Sequence, residues 1–216
     1  MFHLNNLALG YNNNPVLHDI TIDIIAGERV ALVGESGAGK STLLSELRNR
    51  YSSITALIPQ QAGLVNSLSV FHNIYMGRLH RNGTAYNLLN LAWPQKQEIT
   101  RIRPIVERLG INEKLFERAG TLSGGQQQRT AVARAMFQGG EAVLGDEPVS
   151  ATDSHQSRTI LTALSESFKT VVLAMHDVEL ALEFSTRIIG IKDGHIALDI
   201  SAKDLKRSAL DFLYRD

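Results

Sequence analysis

The run Gly34-Glu35-Ser36-Gly37-Ala38-Gly39-Lys40-Ser41-Thr42 has the glycine spacing and closing Lys-Ser of a phosphate-cradling P-loop, G-x-x-x-x-G-K-[ST]. Glycine at 34, 37 and 39 permits backbone conformations and close approaches that a side chain would hinder, so successive N–H groups can converge on phosphate oxygens. Lys40 can reach the terminal phosphates of a nucleoside triphosphate, and the Ser41 hydroxyl can ligate Mg²⁺. A second reactive group is the acidic pair Asp146-Glu147, which ends the apolar run Ala142-Val143-Leu144-Gly145. Neighbouring strand residues face opposite ways, so the two carboxylates can have separate jobs. Asp146 can orient a hydrated Mg²⁺ and Glu147 can polarise an attacking water.

Three further stretches fit the same chemistry less specifically. His176 ends the apolar run Thr170 to Met175, where an imidazole can hydrogen-bond a terminal phosphate. Gln60 follows Ile54 to Ile58 and Pro59; its amide oxygen can ligate Mg²⁺ or orient water, or it can be an ordinary polar turn residue. Ser123-Gly124-Gly125-Gln126 opens a helix, with Ser123 a natural N-cap and two glycines leaving the next amides accessible, as in a phosphate site or a plain capped helix. Tyr11 precedes a turn at Asn12-Asn13-Asn14-Pro15; its ring can stack on a nucleotide base or pack at a sheet edge.

The elements that must position these groups alternate between strand and helix. Phe2 to Leu9 and Val16 to Ile24 read as an antiparallel pair, with Ile20, Ile22 and Ile24 alternating against polar residues. Arg29 to Val33 is a short buried strand before the glycine-rich loop, and Leu43, Leu44 and Leu47 give the following helix its apolar face as far as about Arg50. Residues 64–135 read as an inserted helical lobe: Leu68, Val70, Phe71, Ile74 and Tyr75 suggest one helix, and Ile99, Ile102, Val106 and Leu109 another, which Pro104 starts or kinks. The cluster Tyr86, Leu88, Leu89, Leu91 and Trp93 is expected to pack in the core of that lobe, with any exposed apolar positions of the lobe a candidate partner surface. After Glu147 come the turn Ser150-Ala151-Thr152-Asp153, a helix with Ile160, Leu161 and Leu164, a hairpin around Lys192-Asp193-Gly194, and a closing helix from Asp204 to Leu213.

Bulk properties exclude several classes. In 216 residues Lys+Arg and Asp+Glu are equal at 22 each, so no global charge points to nucleic acid or to a strongly anionic membrane. There is no cysteine, hence no disulfide and no thiolate chemistry. The start lacks a signal-peptide pattern and no apolar run is long enough to span a bilayer, so a membrane role is expected to come through a partner.

Together these strings resemble the ATP-binding subunit of an ABC transporter over essentially the whole chain. Leu122-Ser123-Gly124-Gly125-Gln126, followed by Gln127-Gln128-Arg129, is similar to that family's signature, and GESGAGKST, LGDEP and His176 follow its order. The resemblance implies one α/β domain over 1–216, with a mixed core sheet, a small antiparallel β lobe and the inserted helical lobe over 64–135, which includes the signature helix. It implies ATP and Mg²⁺, with Tyr11 as the base-stacking aromatic and residues 34–42 on the phosphates. Ser41, Gln60 and Asp146 arrange the metal, while Lys40, Gln60, Glu147 and His176 act in hydrolysis. It also implies a head-to-tail second copy whose Ser123, Gly124, Gly125 and Gln126 complete the site. Ser150, Ala151, Thr152 and Asp153 then communicate across the dimer.

Gly77-Arg78-Leu79, Arg118-Ala119, Asp146-Glu147-Pro148-Val149-Ser150 and Arg187-Ile188-Ile189-Gly190 are most similar to the phosphonate-importer ATPases of that family. The implied partners are multispanning permease subunits and an extracytoplasmic solute-binding protein, with no nucleic acid. The implied location is the cytoplasmic face of the inner or plasma membrane. Ala62 to Leu68 are candidates for passing motion to the permease. A soluble ATPase remodelling a nucleic-acid or protein complex, and a low-turnover regulatory subunit, are the alternatives. Three departures stand out: the connection from Thr42 to Gln60 is short, Thr152 replaces a usual leucine, and Gly145 is small for its strand end.

Overall fold

The computed structural model describes residues 1–11 and 14–214, except for the side chain of Tyr11. Asn12 and Asn13, half of the turn expected before Pro15, lie outside the described residues, and so does the Tyr11 ring expected to stack on a base. Two compact units are present: Met1–Leu57, Gly140–Ser150 and Phe168–Asp216 form the first, and Ile58–Gly139 with Ala151–Ser167 the second.

The first unit is built on strands. β1 (Phe2–Tyr11) and β2 (Asn14–Ile24) pair antiparallel from Phe2 opposite Ile24 to Tyr11 opposite Asn14. The alternation at Ile20, Ile22 and Ile24 turns all three inward, the period-2 consequence of a half-buried sheet. The larger sheet contains β3 (Arg29–Val33), β4 (Thr55–Ile58), β5 (Ala142–Asp146), β6 (Thr170–Ala174), β7 (Arg187–Lys192) and β8 (His195–Ser201), in the order β4-β5-β6-β3-β7-β8. β5, β6, β3 and β7 run parallel, and β8 returns antiparallel to β7, which makes the sheet mixed. The central strands are continuous apolar runs because both faces are covered.

α1 (Lys40–Arg50) joins the two sheets. Leu43, Leu44 and Leu47 enter one cluster with Phe2, Leu4 and Ile22 from the small sheet and Leu32, Leu144 and Val172 from the large one. Each of these side chains contributes about 1.5–3 kcal/mol by leaving water. The short link from α1 to β4 is closed by Tyr51. Its hydroxyl accepts from the His3 N–H at 2.9 Å and donates to the His3 carbonyl at 3.0 Å, and its ring meets Phe2 edge-on at 5.0 Å.

The second unit is helical: α2 (Val70–Tyr75), α3 (Thr84–Ala92), α4 (Lys96–Arg108), α5 (Gly124–Gln138) and α6 (Ser154–Ser167). α4 begins at Lys96 and runs on through Pro104, with Ile102 and Val106 fully buried on either side of it. That packing outweighs the roughly 3 kcal/mol cost of an interior proline.

Two local expectations change. Leu88, Leu89, Leu91 and Trp93 are exposed rather than core, Trp93 by 75%. α3 is held instead through polar groups: Asn90 is its one buried residue, and Asn87 Oδ1 accepts from the Tyr75 hydroxyl at 2.8 Å. The closing helix expected from Asp204 to Leu213 is replaced by 3₁₀ stretches at Ala202–Asp204 and Arg207–Tyr214. Leu210 and Leu213, three apart and both buried, match the three-residue period of that helix type. α7 (Val178–Phe184) completes the first unit's helices. Among the described residues no helix is long and apolar enough to cross a membrane.

Candidate active site

β3 delivers the chain to Gly34, where the backbone leaves the sheet. Gly34 has φ +145°, and a Cβ there would lie 2.2 Å from the Ile191 carbonyl oxygen, so only glycine fits. Lys40, 6% exposed, folds back over this turn, and its Nζ donates to the carbonyls of Gly34 and Glu35, each at 2.8 Å. Burial pushes the Lys40 ammonium below its ordinary pKa, while the charges of Glu147 and Asp146 pull it partly back.

The start of α1 suits an anion. No side chain caps Gly39, the residue before the helix, and the first turn carries no acidic residue to satisfy its amides or oppose its dipole. Glu35, Ser36 and Gly37 are exposed, and a Cβ built on Gly37 would meet nothing within 4 Å, so the loop opens onto free space. A phosphate chain fits this helix start, which no side chain caps, beside a buried ammonium. The Ser41 hydroxyl, exposed in the same turn, and Asp146, half-buried at the end of β5, are suitable hard oxygen ligands. They fit the habit of Mg²⁺, which takes one or two protein oxygens and completes its shell with substrate phosphates and water.

β5 and β6 bring the next pair together. Asp146 is opposite Ala174 in the parallel ladder, and the Glu147 N–H donates to the Ala174 carbonyl at 3.1 Å. Glu147 then turns into left-handed backbone at φ +52°, uncommon for a non-glycine residue. Its Oε1 lies 2.7 Å from His176 Nε2. The turn is held by Ser150, whose N–H and hydroxyl both donate to the Glu147 carbonyl, at 3.3 and 3.1 Å. Gly145 is small because a Cβ there would lie 2.6 Å from Leu173 Cδ2 and 3.3 Å from Pro148 Cγ.

In the second unit, Ser123 caps α5 as expected. Its Oγ accepts from the Gln126 N–H at 3.4 Å, and Gln126 Oε1 accepts from the Ser123 N–H at 3.0 Å, a reciprocal capping box. Gly124 has open space around it, whereas a Cβ on Gly125 would lie 2.9 Å from the Ala151 carbonyl. That close approach joins the signature to the turn 151–153. There the Thr152 hydroxyl is within 2.9 Å of the Ser157 hydroxyl, and Asp153 Oδ1 accepts from the Gln156 N–H at 2.8 Å. Gln60 is exposed in the turn after β4 and belongs to this unit.

The first unit thus assembles residues 34–42, Asp146, Glu147, Ser150 and His176, while Gln60, Ser123 to Gln126 and Ala151 to Asp153 fall in the second. Two contacts at these segments carry no local signal in the sequence. Arg134, on α5, donates to the carbonyls of Ala62 and Gly63 at 2.7 Å each, tying the segment after Gln60 to the signature helix. Tyr214 lies far from the P-loop in sequence, yet its hydroxyl accepts from the Gly34 N–H at 3.3 Å.

Known proteins share both sequence and architecture. The profile described as ABC transporter matches residues 17–150. The phosphonates import ATP-binding protein of Pseudomonas savastanoi pv. phaseolicola is 38% identical over 241 aligned positions, covering 98% of this chain and 90% of that protein. Its counterpart in Rhizobium meliloti is 33% identical, covering 99% and 86%. A dimeric ATP-binding cassette solved in a post-hydrolysis state with ADP and phosphate superposes with a TM-score of 0.80 at 25% identity, covering 94% of this chain and 99% of that one. The chain belongs to the ABC transporter family, as an ATP-binding subunit with the P-loop fold and Mg²⁺-dependent ATP hydrolysis of that family.

Proposed function

We propose that this chain hydrolyses ATP to drive import of a phosphonate-class solute through a separate membrane permease. The observation that carries the ATPase assignment is the convergence of Lys40, Asp146, Glu147 and His176 in one unit around an uncapped helix start. The solute class is supported by the similarity to phosphonates import proteins along nearly the whole chain.

In this reading, residues 1–216 act as one ATPase domain and 64–135 as its helical lobe. Residues 34–42 hold the phosphates through backbone N–H groups, and Lys40 leaves its two carbonyl acceptors for the terminal phosphate. Tyr11 stacks on the base. Ser41, Gln60 and Asp146 would hold Mg²⁺ directly or through water, and the ion would supply positive charge against the phosphate oxygens. Glu147 accepts a proton from the water that attacks the terminal phosphorus in line as its bond to ADP breaks, and His176, already against the carboxylate, orients that group and holds the terminal phosphate. A second copy contributes Ser123, Gly124, Gly125 and Gln126 across the nucleotide, and residues 150–153 relay between the two sites.

The partner surface in this reading comprises the exposed apolar residues of α3 and its end, Leu88, Leu89, Leu91 and Trp93, and the segment Ala62 to Leu68. The complex would then sit at the cytoplasmic face of the membrane, served by an extracytoplasmic solute-binding protein. The test is phosphonate uptake by cells in which the chromosomal copy is replaced by wild type or by Glu147→Gln. ATP-dependent uptake lost in the variant supports the reading. Equal uptake in both strains, or recovery of the chain only with nucleic-acid machinery, would overturn it.

A further inference from the structure

The first glycine of the P-loop is held from both sides. Its carbonyl accepts from Lys40 Nζ at 2.8 Å, and its N–H, buried where the β3 ladder ends at Val33 opposite Gly190, donates to the hydroxyl of Tyr214. A buried backbone N–H needs an acceptor, and the sheet no longer offers one at this point. The phenol is itself half-buried, and its oxygen offers the acceptor that the sheet lacks here.

The 3₁₀ segment that carries Tyr214 is fastened at several points to the elements of the site. Leu213 packs so closely on β7 that a Cβ on Gly190 would come within 2.7 Å of its Cδ1. Lys192 Nζ donates to the Phe212 carbonyl at 2.9 Å. Arg207 pairs with Glu179 of α7, the helix that Asp177 caps immediately after His176. The segment therefore spans from the helix following His176 to the entry of the P-loop.

We propose that Tyr214 is a positioning residue for nucleotide binding, its hydroxyl fixing the Gly34 amide and with it the turn on which Lys40 is folded. The inference rests on residues 34–42 being the ATP site. Tyr214 does not touch the nucleotide in this account. It acts by keeping the first turn of the cradle in its binding shape before ATP arrives, so that less ordering is needed on binding.

Tyr214→Phe keeps the ring and removes the acceptor. In the full-length chain it is expected to raise Kd for MgATP and MgADP and the KM for ATP roughly three- to tenfold, the range for loss of one neutral hydrogen bond to a buried group, with kcat changed by less than about twofold. Amide hydrogen exchange of nucleotide-free protein should speed up in the peptide spanning Val33 to Lys40 and not in α5. Wild-type protein that binds MgATP, with Lys40→Ala that does not, would uphold the ATP site. Under that result, unchanged Kd and unchanged exchange in Tyr214→Phe would overturn the role of Tyr214 alone. A variant that loses its far-UV circular dichroism would make Tyr214 a folding residue and overturn the assignment as well. Failure of the wild type to bind MgATP would overturn the underlying site, while the exchange measurement would still report whether Tyr214 holds Gly34.

Discussion

Glu147 and His176, carried at the ends of neighbouring parallel strands, meet with Oε1 and Nε2 2.7 Å apart. The contact depends on the left-handed turn at Glu147, which the Ser150 hydroxyl and N–H support from below. Two groups in contact in one reaction act as a unit, so their effects on rate should not add. His176→Ala is expected to reduce kcat about 10²-fold by itself and to add little in a Glu147→Gln background. A double-mutant cycle on single-turnover ATP hydrolysis measures this; full additivity would show that the pair works independently.

Nucleotide binding is expected to be sensitive to alkaline pH through Lys40. Its folded-state pKa is lowered from 10.5 by burial, so between that lowered value and 10.5 the unfolded chain holds a proton that the native chain lacks. The stability of the nucleotide-free protein should therefore rise with pH through this window, and its burial cost should be present below it. ATP needs the charged form, so affinity should fall as pH climbs through the same window, with proton uptake on binding. Calorimetric titration in buffers of different ionisation enthalpy reads the proton count, and Lys40→Met should abolish it.

Gly34 tolerates no side chain. Gly34→Ala would place a Cβ 2.2 Å from the Ile191 carbonyl oxygen at φ +145°, and both strands would have to give. Expected outcomes are loss of measurable MgATP binding and a stability loss of about 1–3 kcal/mol, read by urea unfolding. Gly37→Ala meets no atom within 4 Å, and it should lose less stability while still weakening binding.

Arg134 ties the segment after Gln60 to α5. Arg134→Met keeps the stem and removes both bonds to the Ala62 and Gly63 carbonyls, for a loss of about 2 kcal/mol. Hydrogen exchange should speed up in residues 60–68 and stay unchanged at residues 30–43. Uniform acceleration would mean that the arginine supports the fold at large.

Much of the site was legible because its signals are local. The glycine spacing before Lys40, the apolar run before Asp146 and the Ser123–Gln126 box are each contained within a few residues, and each requires its conformation from its own chemistry. Contacts set by distant segments were not legible. Tyr214 reaches Gly34 across 180 residues of sequence and Arg134 reaches Ala62 across 72, and nothing in either neighbourhood announces the partner. α3 misleads in another way: Leu88, Leu89 and Leu91 look like core until the buried polar anchor at Asn90 shows that the opposite face is the one packed. The closing segment reads as a helix, and the spacing of three between buried Leu210 and Leu213 suits the 3₁₀ form it takes.

The most direct test of the account is MgATP hydrolysis by purified wild type and Glu147→Gln, measured together with nucleotide affinity. The prediction is unchanged MgATP affinity with turnover reduced by about 10²–10⁴-fold, the range for a lost general base, and accumulation of an ATP-bound dimer on size exclusion. Turnover in Glu147→Gln equal to wild type would contradict the assignment of Glu147 and the hydrolytic site built around it.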